Sequence, residues 1–249
     1  EGLSAAEKAN MLFIVQDPYT SYYDAKVVRD FVALTQKLGF SPILLPFKPN
    51  GKAMHIKGFL ARFSKTAKTQ AEFLNRVAKL NVPLVGVDPA IVLSYRDEYK
   101  EALGDSRGDF HVLTAHEWLT NQLESNTLQS AVKNIAKSDR TFEWHLFPHC
   151  TESTFMPNSP KEWQYIFAQF GQTLNIEKVG CCGMAGVFGH EVQNQTMSKD
   201  IYDVSWGKKL QGKDPNHCLA TGYSCRSQVK RYEKAILKHP VQALLEILN

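Results

Sequence analysis

No cysteine precedes Cys150 in this 249-residue chain, and no CxxC pair occurs anywhere in it. The ligand spacings of zinc ribbons and ferredoxins are therefore absent. There is no P-loop and no GxGxxG turn, so nothing marks a nucleotide or nicotinamide cradle. No apolar run approaches the roughly 20 residues that span a bilayer, and no basic, apolar leader opens the sequence, so we expect no transmembrane segment. The compartment to expect is reducing and cytoplasmic, with at most peripheral attachment at the inner membrane. Charge is not blocked: the net value is +4 with 22% charged residues and dispersed lysines, which does not describe a nucleic-acid surface. An odd number of cysteines, two of them adjacent, also argues against a disulfide framework.

All five cysteines, Cys150, Cys181, Cys182, Cys218 and Cys225, lie in the last two fifths of the chain. Small core-filling thiols would be scattered, whereas thiols gathered from separate loops suggest one soft-metal or redox site. With 43% hydrophobic residues the chain has enough apolar material for a large core, as one domain or two.

The layout is duplicated. Met11 to Val15 is an apolar run ending at QDPYTSYY, and Trp144 to Phe147 is another ending at PHCTESTF. Each reads as a strand and a loop, followed by a helix with apolar three-and-four spacing. The helical positions are Val27, Val28, Phe31, Leu34 and Leu38 in the first case and Trp163, Ile166, Phe167 and Phe170 in the second. Second strands, Ser41 to Pro46 and Leu174 to Val179, close on FKPNGKAMHIKGF and GCCGMAGVFGH; third strands, Val82 to Val87 and Cys218 to Thr221, close on DPAI and GYSC. At an offset of 134 Phe47 and Lys48 stand where the cysteine pair stands and Ile91 where Cys225 stands, and at 133 Asp17 takes the place of Cys150.

The fold this predicts is α/β, two pseudo-symmetric repeats with short parallel sheets flanked by helices, divided as residues 1–125 and 126–249. Asp105 to Asp109 reads as a turn. His116 to Lys137 reads as a polar linking helix with Leu123, Leu128, Val132 and Ile135 on one face, and Glu1 to Asn10 as a helical lead-in to the first strand. A chain that opens on Glu1 is expected to be a piece of a longer one. Ligand loops then gather where parallel strands end.

Cys150, Cys181, Cys182 and Cys225 fall on loops ending three strands, whereas Cys218 lies inside a strand-like run and reads as core. Adjacent cysteines, with Cα atoms about 3.8 Å apart, suit different irons of one cluster better than two corners of one zinc ion. Gly180, Gly183 and Gly186 let the backbone bend around a bulky inorganic core and offer it N–H groups, and a helix starting near Gly189 would add its positive end. His149 and His190 flank the thiols as replacement ligands or ordinary imidazoles. Tyr223 and Ser224 are placed to donate hydrogen bonds to such a site. A cysteine–histidine hydrolase needs one nucleophile rather than four converging thiols. Lys48, Lys52, His55 and Lys57 form either a solvated face or an anion-attracting one.

HCTESTF, GCCGMAGVFGHE and ATGYSC together resemble the cysteine-rich CCG domain of the heterodisulfide reductase B subunit and of the iron–sulfur subunits of glycolate and anaerobic glycerol-3-phosphate dehydrogenases. VQDPYTSYYDAKVV, LPFKPNGKAMHIKGF and the ending KHPVQALLEIL resemble the C-terminal region of large bacterial FAD-linked oxidases of the D-2-hydroxyglutarate dehydrogenase kind. The resemblance implies ligands Cys150, Cys181, Cys182 and Cys225 for an iron–sulfur cluster of [4Fe–4S] type, with zinc as the alternative. Gly222 stands where the first cysteine of the family's CxxC stands, which speaks against a five-thiolate site. The first repeat, with Asp17, Phe47, Lys48, Asp88 and Ile91 at the ligand places, keeps no thiol. The implied role is electron relay from FAD and ferredoxin-like domains upstream in the same polypeptide to a quinone or soluble carrier. The competing role is a zinc-braced or metal-free docking module.

Overall fold

The structure, a computed structural model, describes residues 4–128 and 142–249. The chain divides into two compact units, Glu1–Trp118 and Leu119–Asn249. The protein is α/β, with a short parallel sheet in each unit and helices flanking it.

In the first unit β1 (Met11–Ile14), β2 (Ser41–Leu44), β3 (Leu84–Gly86) and β4 (Val112–Thr114) form one sheet in the order β2-β1-β3-β4. In the second, β5 (Glu143–Phe147), β6 (Thr173–Ile176) and β7 (Cys218–Ala220) take the order β6-β5-β7. Every pairing among these strands is parallel. The first three strands of each unit are thus arranged alike, second, first, third. The predicted helices are present as Ala25–Lys37, burying Val27, Val28, Phe31 and Leu34, and Ser159–Gln169, burying Trp163, Ile166 and Phe167. The lead-in is a short helix, Ala5–Ala9, closed by a capping box between Ser4 and Glu7.

Several elements depart from the sequence reading. Leu60–Ala78 is a long helix whose inward stripe is Phe63, Ala67, Gln70, Ala71 and Leu74. Two alanines and a glutamine carry little hydrophobic signal, so its period is faint in the sequence. β4 is only a three-residue run after the 3₁₀ turn Gly104–Arg107. The linking helix runs Ala115–Glu124 and is followed by a turn in which Asn126 takes φ of 62°. Leu123 and Leu128 are buried, and Val132 and Ile135 lie outside the described residues.

The first unit packs Phe13, Phe63, Leu74, Leu84, Tyr95, Tyr99 and Phe110 into one core. Each such side chain, moved out of water, is worth about 1.5–3 kcal/mol. The residues standing at the ligand places serve structure. Ile91 is core, Phe47 meets the Tyr22 ring edge-on at 5.0 Å, and Lys48 lies over the Phe73 ring at 5.0 Å. Lys52 pairs with Glu98 and His55 packs on Phe63 at 4.8 Å. Two of the four basic residues of this loop are thus committed to aromatic rings and one to an ion pair.

Asp17 and Asp88 cap the helices Pro18–Tyr22 and Pro89–Arg96 at the ends of β1 and β3. Both are buried. Asp17 accepts the N–H groups of Tyr19 and Thr20 at 2.8 and 2.9 Å. Burial, reinforced by the charge of Asp88, nevertheless raises its carboxyl from 3.8 to about 6. The folded chain therefore holds this proton more tightly than the unfolded chain. The associated stability is present below the ordinary carboxylate value and lost as pH rises through about 6. Asp17→Asn, which cannot ionise, is expected to melt higher relative to the parent at pH 8 than at pH 5, a comparison that thermal denaturation at the two pH values makes directly.

Candidate metal centre

Because β5, β6 and β7 run parallel, their C-terminal ends share one edge of the sheet, and the thiols follow those ends. Cys150 opens the helix Cys150–Phe155 after β5. Cys181 and Cys182 lie in the turn-rich segment after β6. Cys225 lies in the first turn of the helix Tyr223–Glu233 after β7. Two of the four thiols expected on loops thus sit in first helical turns. The helix expected near Gly189 begins at Gln195 instead, after 3₁₀ turns at Phe188–His190 and Val192–Asn194.

The four thiols meet. Cys181 takes hydrogen bonds from the Cys150 and Cys182 thiols and from the backbone N–H groups of Gly183 and Ala185, and its pKa is driven far down. The Gly183 contact measures 3.3 Å. As the donor to Cys181, Cys150 is pushed up, with burial adding to the effect. Cys182 is raised by its bonds with Cys181 and Cys225 and by burial. Cys150 and Cys181 are partly exposed, Cys182 and Cys225 buried.

Cys218 stands apart. It is fully buried in β7, and burial raises it to about 11 among Lys213, Glu177 and Asp214 rather than among sulfurs. The strand reading of this residue agrees with that position.

Backbone shape accounts for the N–H donors. Gly183 and Ala185 take φ of 83° and 39° on either side of Met184, the alternation that turns successive N–H groups toward one point. A Cβ on Gly183 would overlap the Ser198 carbonyl oxygen, so glycine is required there by space as well as by φ. The segment is pinned from outside: Ser198 Oγ donates to Gly183 O at 2.8 Å, Gln228 Nε2 to Cys182 O at 3.0 Å and Trp206 Nε1 to Gly180 O at 3.1 Å.

Sequence reasoning passed over these supports, along with Glu152. The Glu152 carboxylate is buried and accepts from the Ser159 and Thr221 hydroxyls, tying the Cys150 helix to the end of β7. The signals were faint: Gln228 sits three residues after Cys225 on one helix face, and Glu152 sits inside the CTES run. Of the residues singled out beside the thiols, Ser224 Oγ lies 4.0 Å from Cys225 Sγ. His190 meets Arg231 at 3.0 Å, and burial followed by that guanidinium lowers its pKa.

His149 is buried and caps the Cys150 helix, its Nδ1 accepting from Thr151 N–H at 3.2 Å. Its ring also fills the space beside Gly222: a Cβ added there would overlap His149 Cδ2. The imidazole therefore fills the space that a side chain at position 222 would take.

Among the described residues, no group of three or more His, Cys, Asp or Glu side chains has the geometry to hold a metal ion. The donor set itself consists of four soft sulfurs, with a backbone N–H group of Gly183 directed at the Cys181 sulfur. In chemistry and number that set fits a sulfide cluster; an adjacent pair fits a single tetrahedral ion poorly.

The chain thus holds two α/β units whose first three strands share one order, and its cysteines lie in the second. No family model matches the chain. Among curated proteins it is 81% identical over its whole length to a D-2-hydroxyglutarate dehydrogenase of Haemophilus influenzae and 58% identical to the protein of that name from Escherichia coli K12. It spans 24% of the length of each. One component of the anaerobic glycerol-3-phosphate dehydrogenase of Escherichia coli K12 is 22% identical over 241 residues, which are 92% of this chain and 57% of that one. Among the described residues no helix is long and apolar enough to cross a membrane.

Gly222→Cys alone is expected to destabilise the second unit by about 1–3 kcal/mol through overpacking against His149. Combining it with His149→Ala should recover part of that loss. Chemical denaturation of the single and double variants reads both effects.

Proposed function

We propose that this chain is the electron-transfer part of a larger FAD-linked 2-hydroxy acid dehydrogenase, one that oxidises D-2-hydroxyglutarate. In this reading Cys150, Cys181, Cys182 and Cys225 hold a [4Fe–4S] cluster, and the flavin and ferredoxin-like domains lie elsewhere in the same polypeptide. The observation that carries it is the meeting of four thiols from three strand ends while the fifth, Cys218, is set apart. The names and extent of the relatives support the parent activity.

A cluster so bound would supply one-electron storage between flavin and acceptor. The chain's own residues do the rest. Gly183 and Ala185 direct N–H groups at Cys181, which favours its thiolate. Gln228, Ser198 and Trp206 hold the segment that carries the pair. Met184, Phe147 and Trp206 pack with Cys182 and Cys225 and keep water from the inner side. Cys150 and Cys181 face outward, so electrons enter or leave on that side over the shortest path.

Iron, acid-labile sulfide and zinc analysis of the anaerobically purified protein tests the proposal. Iron and sulfide in near-equal amounts, lost in Cys182→Ser together with the visible absorption, are expected. Zinc alone, or a folded protein without metal, would replace the relay with a structural docking module. A second measurement concerns Cys218: Cys218→Ala should leave iron and sulfide content unchanged while lowering stability by about 1–2 kcal/mol for the small cavity it leaves.

A further inference from the structure

The helix Leu60–Ala78 turns Phe63, Ala67, Gln70, Ala71 and Leu74 toward the core of the first unit. At 3.6 residues per turn, Arg62, Lys65, Lys68, Glu72, Arg76 and the C-cap Lys79 fall within about 120° of arc on the opposite side. All of them are exposed. Five are cations and one is an anion, and the row runs about 26 Å along the axis. Solvated helix faces elsewhere in the chain neutralise their lysines at a four-residue step: Lys26 pairs with Asp30 and Lys199 with Asp203, each at 2.5 Å. This face does not. Glu72 stands four residues from both Lys68 and Arg76, yet among the described residues none of Lys65, Lys68, Glu72, Arg76 and Lys79 enters an ion pair.

Apolar side chains stand at both ends of the row. Phe59 and Leu60, where the helix begins, are 55% and 59% exposed, and Leu80, just past its end, is 44% exposed. Arg62 lies over the Phe59 ring, 5.8 Å from its centroid, so a cation and a ring are presented together. A single exposed apolar residue is ordinary. Here such residues bracket a cationic row that the fold leaves unneutralised, and one kind of surface satisfies both features: one that is anionic outside and apolar beneath.

We propose that this face docks the first unit onto an anionic lipid bilayer. The helix lies parallel to the surface, with its cations among the lipid phosphates and Phe59, Leu60 and Leu80 at the level where headgroups meet acyl chains. A straight row of charge suits a flat surface, and attachment of this kind needs no spanning helix. A nucleic-acid strand is met by aromatic rings set between the cations, on which bases stack. Here the apolar residues stand only at the ends, and the arc between them holds Thr69 and Glu72 besides the cations. The inference stands apart from the thiol site and from any cluster bound there.

The test is co-sedimentation of the full-length parent protein with vesicles of equal parts phosphatidylglycerol and phosphatidylethanolamine, and with vesicles of phosphatidylcholine alone. Binding to the first and not to the second, weakening as salt rises, is the expected result. The combined variant Lys65→Gln, Lys68→Gln and Arg76→Gln should bind about a hundredfold more weakly, since each cation near such a surface contributes about fivefold. Lys208→Gln with Lys209→Gln, which removes exposed charge from the second unit, should bind as the parent does. All of these positions are exposed, and an unchanged melting temperature establishes that each variant is folded. No binding by the parent, equal binding to both kinds of vesicle, or parent-like binding by the combined variant would overturn the proposal. Tighter binding to a single-stranded DNA oligonucleotide than to the anionic vesicles, lost in the same variant, would overturn it in favour of nucleic acid.

Discussion

Everything at the candidate site depends on the parallel pairing of β5 with β6 on one side and β7 on the other. Register does more than hold the sheet together. His145 sits opposite Asn175 and Cys218, and Leu146 opposite Ile176 and Leu219, so the three strands finish within a residue or two of one another. Chain segments that are far apart in sequence thereby deliver their next side chains to one edge. An antiparallel middle strand would send Cys150 to the opposite edge and leave no site to assemble.

The two units follow one strand plan but solve the same edge differently. In the first, short carboxylate side chains cap the helices after β1 and β3, and burial holds one of them partly protonated. In the second, an imidazole caps the helix after β5, the helix after β7 starts from a bare glycine, and the chemistry has moved to sulfur. Helix caps and cluster ligands draw on the same need, a partner for the free N–H groups of a first turn. The absence of thiols from the first unit therefore leaves no unmet demand in its fold, since aspartate serves the caps there.

Much of this was legible in the chain. Strand positions followed from apolar runs, and the main helices from three-and-four spacing, because Phe31, Trp163 and their neighbours are large and regularly placed. The strand position of Cys218 was legible too, since it opens an apolar run instead of following one. The helix Leu60–Ala78 was hidden because alanine and glutamine line its inner face. Strand β4 was hidden by its three-residue length. The start of the helix at Gln195 was obscured because Gly189 looks like a boundary but belongs to a 3₁₀ turn. Gln228, Ser198 and Glu152 act across distances in sequence that no local pattern spans, and only packing brings them to the thiols.

The overlap between His149 and position 222 also couples two substitutions. A glycine next to an imidazole that fills its side-chain space is a pair in which each partner depends on the other: the ring caps a helix, and the bare backbone gives it room. A side chain placed at 222 is opposed by the ring, and removing the ring alone takes away a cap and leaves a void. Neither position can therefore be changed independently, and any redesign of this edge of the site has to treat the two as one unit.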